Sequence, residues 1–87
     1  MFYDREIKIL DNEQQVVRKI LGDLQPYHKN FHYEDGYELE ITQRAFCDRE
    51  PLIHKYVKLM IGDIQYKVLD MKVWSDYLEL WLYECRD

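Results

Sequence analysis

Apolar and polar residues alternate most regularly in the last third of the chain. From Lys58 to Cys85 the sequence K-L-M-I-G-D-I-Q-Y-K-V-L-D-M-K-V-W-S-D-Y-L-E-L-W-L-Y-E-C predicts three consecutive antiparallel strands. Gly62-Asp63, between Ile61 and Ile64, permits the positive φ of a two-residue type II′ hairpin turn. Ser75-Asp76, two small polar residues between Trp74 and Tyr77, marks the next reversal. In the closing strand Leu78, Leu80 and Leu82 alternate with Glu79, Trp81 and Tyr83, so a period of two gathers the leucines on one face, the expected core. The other face is mostly aromatic, which suits a strand covered on both sides or turned toward a partner. Between Ile64 and Val73 the apolar phase slips from Ile64, Tyr66 and Val68 to Leu69, Met71 and Val73. A β-bulge or a change of sheet near Val68-Leu69 would produce that slip.

Upstream, Glu6 to Leu10 alternates and predicts an opening strand within Met1 to Leu10, ended by Asp11-Asn12. Glu13 to Leu24 supports two readings. Val16, Val17, Ile20, Leu21 and Leu24 fall at helical spacing, with Asn12 and Gln15 as a capping pair. Against a helix stand Val16-Val17, Gly22 and the approach to Pro26, and the competing reading is a strand over Arg18 to Tyr27. His28 to Asp35 has no periodicity, ends in Asp35-Gly36 and holds Phe31 and Tyr33, so it reads as a loop with exposed aromatics. Tyr37, Leu39, Ile41 and Ala45 then alternate with Glu38, Glu40, Thr42 and Arg44, predicting a one-sided strand from Tyr37 to about Cys47. Asp48 to His54, with Pro51, reads as a second loop. The expected fold is all-β: one small barrel or sandwich of about six mainly antiparallel strands, ending in the meander, with a short helix near 13–24 as the variant. Closing or covering the sheet edges is the reason for a barrel or sandwich in so short a chain.

Composition narrows the function classes. At 87 residues the chain makes one domain, and such domains bury only roughly 60 to 65% of their unfolded surface. The 47% apolar share suffices for one small core and argues against intrinsic disorder. No apolar run reaches the length of a membrane span and no basic leader opens the chain, so a soluble, unsecreted protein without membrane contact is expected. With 17 acidic against 12 basic residues, interleaved, the surface is poorly suited to gripping phosphates, and nucleic acid is not expected as a ligand. Cys47 and Cys85 are expected as two thiols.

Candidate chemistry is thin. His28 and His32 could begin a metal site with Cys47, His54 or Glu34, but loop histidines are ordinarily solvated, and no metal or cofactor is expected. Cys47 and His54 are the one conceivable nucleophile and base, yet Cys47 continues the inward phase of Ile41 and Ala45 and reads as a small buried residue. Glu38 and Glu40 share one polar strand face, which leaves them too alike for acid and base roles. Trp74, Tyr77, Trp81 and Tyr83 could form a stacking platform, but without a basic surround they read as core and protein contact. The expectation is a protein that is not an enzyme.

Three pieces in order, Gly22-Asp23-Leu24-Gln25-Pro26-Tyr27, the run from Tyr33-Glu34-Asp35-Gly36-Tyr37 through Arg44-Ala45-Phe46-Cys47-Asp48, and Gly62-Asp63-Ile64-Gln65-Tyr66-Lys67-Val68, resemble small head-tail connector proteins of tailed phages and prophages of Gram-positive bacteria. These are head-closure or stopper proteins. Order and spacing carry the likeness, which runs from about Lys19 to the end; the segment before Asp23 is shorter than in such proteins. The resemblance implies a small β-barrel, and with it a strand over Arg18 to Tyr27. It also implies a structural role: copies ring the connector beneath the portal and its adaptor, retain the packaged genome and present a surface to tail-completion proteins. The implied location is the virion head-tail interface, reached from the bacterial cytoplasm during assembly, with a monomer allowed for the free subunit. In such a ring the two loops would supply the contacts, through His28, Phe31, His32, Tyr33, Asp35, Arg49, Glu50 and His54. The alternative is a small acidic phage-encoded inhibitor that binds a host protein.

Overall fold

A computed structural model describes residues 3–32 and 36–85. Six strands occupy most of them: β1 (Arg5–Leu10), β2 (Val16–His32), β3 (Glu38–Asp48), β4 (Lys58–Ile61), β5 (Ile64–Val73) and β6 (Tyr77–Glu84). All neighbours are antiparallel, and the strands close into a barrel in the order β1-β2-β3-β6-β5-β4, with β4 returning to β1. Of the two expected architectures the molecule therefore adopts the barrel. Closure gives each core strand a hydrogen-bonded neighbour on both sides, which removes the exposed edges that an open sheet of this size would carry.

The meander forms as its sequence pattern predicts. Gly62 has φ +62° while Asp63 stays out of the left-handed region, as a type II′ turn requires, and Ile61 pairs with Ile64 across it. Leu78, Leu80 and Leu82 are buried and meet Ile7, Ile9, Leu59 and Val68 inside the barrel. The slip in β5 is a bulge: Val68 pairs with Leu82 and Asp70 with Trp81, leaving Leu69 as the extra residue. Both Val68 and Leu69 are fully buried, which is why two adjacent apolar residues stand there.

No helix forms over 13–24. The first reversal is a tight turn in which Asp11 Oδ1 accepts the N–H groups of Glu13 and Gln15, each at 2.9 Å, and Asp11 N–H donates to Gln15 O at 2.9 Å. Asp11 thereby satisfies the donors that a helical cap from Asn12 would have served. Beyond the turn the helically spaced residues divide between faces: Val16, Val17 and Leu21 are exposed, while Ile20 and Leu24 pack against the core. The inward phase is Ile20, Gly22, Leu24, a period of two, and the strand reading is the correct one.

The predicted loop from His28 needs correction as well. His28, Phe31 and His32 belong to β2, whose end pairs with β3 as Lys29↔Ile41, Asn30↔Glu40, Phe31↔Leu39 and His32↔Glu38. Alternation is missing there because neither face of this ribbon is fully buried. The register shifts between Pro26 and Lys29, a suitable place for a proline that has no N–H for the ladder. Tyr37, expected on the inward face of the following strand, precedes β3 and is 61% exposed.

Candidate functional site

The first expected contact segment is a two-stranded ribbon rather than a loop. Among the described residues β2 pairs with β1 only from Val16 to Gly22, and β3 with β6 only from Gln43 to Asp48. The end of the β2–β3 hairpin thus runs past its neighbours. Two cross-strand pairs mark one face of it: His28 Nε2 lies 3.6 Å from Glu40 Oε2, and His32 Nδ1 lies 3.4 Å from Glu38 Oε2. All four side chains are substantially exposed, so these are solvated pairs worth little to stability. Phe31 is half-buried rather than a free-standing exposed ring. Tyr33 and Asp35, and Glu34 among the conceivable metal ligands, lie outside the described residues.

The second segment does follow β3 as a loop, but its members divide. Arg49 and His54 are exposed, and His54 Nδ1–H donates to the Lys55 carbonyl at 2.9 Å. Glu50 is not available for an outside contact. Its side chain is 5% exposed and meets Arg18 Nε at 2.6 Å, while its backbone carbonyl accepts the Ile53 N–H at 3.1 Å. Glu50 therefore fastens the loop to β2. Next to this loop Ile9, Leu10, Val17, Leu52, His54 and Tyr56 line a groove of about 460 Å³ at one mouth of the barrel. Tyr56, at φ +73°, is held there by its N–H, which donates to Val68 O at 2.6 Å.

The conceivable nucleophile and base differ in burial, Cys47 lying inside the barrel and His54 at the surface. Among the described residues no group of three or more His, Cys, Asp or Glu side chains could hold a metal ion. Cys47 is fully buried in the barrel and forms no disulfide. Burial, followed by the charges of Asp48 and Glu50, pushes the Cys47 thiol up to about 12, so it is protonated and a poor nucleophile at neutral pH. The unfolded chain's thiol ionises near its ordinary value of 9.0. The thiol's contribution to stability is accordingly complete below that pH and lost as the pH rises toward 12. The expected result is a urea midpoint that falls more steeply above pH 9 in the wild type than in Cys47→Ala; parallel curves would show that this thiol does not govern the alkaline loss.

Sequence reasoning passed over the cluster around Arg44 on the outer face of β3 and β6. Arg44 lies between two rings, its guanidinium carbon 4.9 Å from the Tyr27 centroid and 5.1 Å from that of Phe46. Its Nη2 donates to Gln25 Oε1 at 3.0 Å, and its Nη1 lies 3.5 Å from Glu79 Oε2. The other oxygen of Glu79 accepts the Trp74 Nε1–H at 3.2 Å. Trp74 stacks on Tyr77 at 5.8 Å, and the Lys72 ammonium lies 4.0 Å from the Trp74 centroid. Of the four aromatic residues weighed as a stacking platform, Trp74 and Tyr77 thus stack on each other, and Trp74 also carries the Lys72 ammonium. The cluster's signal was present in the outward phase Thr42, Arg44, Phe46 facing Glu79, Trp81 and Tyr83, once β3 and β6 are known to be neighbours.

No family model matches this sequence, and no curated protein matches it.

Proposed function

We propose that this chain is a non-enzymatic structural subunit of the head-tail connector of a tailed phage or prophage, a head-closure protein that rings the channel and offers a docking surface to the tail. The observation that carries this reading is the closed barrel from which the β2–β3 ribbon runs on past its neighbours, formed by the very segments whose sequence resembles connector proteins. A barrel without free edges suits a subunit packed among copies of itself, because it does not recruit strands at random. The protonated, buried thiol is a poor nucleophile, which favours a role in assembly. A net charge of −5 favours a lumen along which DNA slides without being gripped. Its partners are further copies of itself and the adjacent portal-adaptor and tail-completion proteins, and its place is the virion head-tail interface.

The test is deletion of the gene from the phage that carries it, with the lysate imaged by negative-stain electron microscopy beside a complemented control. The expected result is emptied heads next to complete, unattached tails. Normal, infectious particles would overturn the reading and turn attention to a host-directed inhibitor.

A further inference from the structure

The outer face of β3 and β6 has a property that the connector reading leaves unused. Among the described residues, three buried side-chain polar atoms have no hydrogen-bond partner: Thr42 Oγ1, Arg44 Nε and Trp81 Nε1. All three belong to this face, and Arg44 and Trp81 are directly paired across the two strands. Unpartnered buried donors are rare in folded proteins, and two of these atoms are N–H groups that can only donate. The Arg44 side chain, still 30% exposed, also keeps guanidinium N–H capacity beyond its contacts with Gln25 and Glu79. A suitable occupant brings acceptors and apolar surface. The rings of Tyr27 and Phe46 already hold Arg44, so docking immobilises little that is not immobile beforehand.

The barrel itself provides such a surface. In the closed order β1-β2-β3-β6-β5-β4, β1 lies three places from β6 and two from β3, so its outer side is a separate surface from the one around Arg44. On the outer side of β1 stands Glu6, 54% exposed, whose one ion pair, with Lys8, is stretched to 4.0 Å. Directly across from Glu6 on β2 is Leu21, a 57% exposed leucine. The β3–β6 face therefore presents a guanidinium among aromatic rings, and the separate β1–β2 face a carboxylate beside an exposed leucine.

We infer that these two faces meet between copies of this chain, the Arg44 face of one subunit docking head-to-tail on the Glu6–Leu21 face of the next. Pairing of two Arg44 faces about a two-fold axis would set like charges against each other, which opposes a symmetric dimer. Two different surfaces generate instead a repeating contact that closes into a ring when the rotation permits. Small shifts of the covering rings on docking open the Arg44 and Trp81 N–H groups to the incoming acceptors, a common side-chain adjustment at interfaces. This inference rests on the connector reading for its expectation of a ring and names the faces that build it.

The test is sedimentation velocity on purified full-length protein over a concentration series, using one variant of each face. Leu21→Lys blocks the β1 face at an exposed position, setting a positive charge against the guanidinium and against Lys72. Arg44→Gln weakens the other face, and Lys72→Glu, at an exposed position on that same face, replaces it should Arg44→Gln fail to fold by circular dichroism. The wild type is expected to associate with rising concentration, and each variant alone to weaken association at least tenfold, about the loss from one significant interface residue. An equimolar mixture of the two variants is expected to form dimers and nothing larger, since each retains one good face. The inference is overturned by a wild type that stays monomeric up to about 1 mM, the range of weak binding. It is equally overturned by a Leu21→Lys variant that associates as tightly as the wild type, or by a mixture that behaves as its separate components. Head-to-tail association beside a normal phage lysate would retain the contact and remove the connector role; a defective lysate with association through other faces would do the reverse.

Discussion

Replacing Gly22 by alanine is expected to destabilise the barrel by about 3 kcal/mol, at the upper end of the usual range for overpacking. Gly22 does not occupy the left-handed region, so backbone strain is not the reason. It is flanked on both sides by paired strands, opposite Arg5 in β1 and opposite Cys47 in β3. A Cβ there would lie 2.5 Å from Ile7 Cδ1, 2.8 Å from the Phe46 carbonyl oxygen and 3.5 Å from Cys47 Cβ. The Ile7 methyl group can turn away. The Phe46 oxygen belongs to the backbone of β3 and moves only if the sheet moves with it. Against a total stability of roughly 5–10 kcal/mol for a domain of this size, such a loss is severe. The urea midpoint of Gly22→Ala should fall well below the wild-type value with an unchanged slope. Gly36→Ala provides the contrast: nothing lies within 4 Å of its Cβ position, and only its φ of +86° opposes the change, at about 1 kcal/mol. If Gly22→Ala proved the milder of the two, the close approach of β1, β2 and β3 would not be what demands glycine.

Arg18→Met is expected to lower stability by about 2 kcal/mol, less than the loss seen when a fully buried ion pair is broken, because Arg18 itself is 59% exposed. Methionine retains much of the aliphatic stem, so the change isolates the lost charge. What remains is a Glu50 carboxylate in a side chain only 5% exposed, without the guanidinium at 2.6 Å. The pair matters because it joins the loop after β3 to the first half of β2, two segments far apart in sequence. Adding Glu50→Gln to Arg18→Met should recover most of the loss, since an amide is far easier to bury than an unpaired carboxylate. A double-mutant cycle by urea denaturation measures the coupling directly. Additive effects of the two changes would mean that the pair acts as an ordinary surface contact, and the short loop would then owe its position to its apolar residues alone.

The two variants also show where sequence reading stops. Gly22 reads locally as an interruption of a helix, and its steric role depends on Ile7 and Phe46, brought together by pairing across two strand boundaries. Glu50 reads as one more charged loop residue beside a proline. Its partner is Arg18, thirty-two positions earlier, which the pairing of β2 with β3, Gly22 opposite Cys47, brings within reach. Arg44 is the same case on the outer surface. Its outward phase in β3 was evident, but the rings that clamp it come from β2 and from its own strand, and its carboxylate partner from β6.

By itself the sequence determined the features that depend on near neighbours: the Gly62-Asp63 turn, the leucine face of β6, the one-sided pattern of β3, and the bulge at Val68-Leu69. Each is written in adjacent residues because side-chain alternation and turn geometry act over two to four positions. The tertiary structure alone decided that the sheet closes, that 16–32 is one long strand, that His28 and His32 face Glu40 and Glu38, and that Glu50 is inside while Arg49 is out. These outcomes rest on contacts between segments distant along the chain. A strand lacking strict alternation, such as the far half of β2, has its partner as its only signature, and that partner is the next strand, β3, which runs on with it past the rest of the barrel.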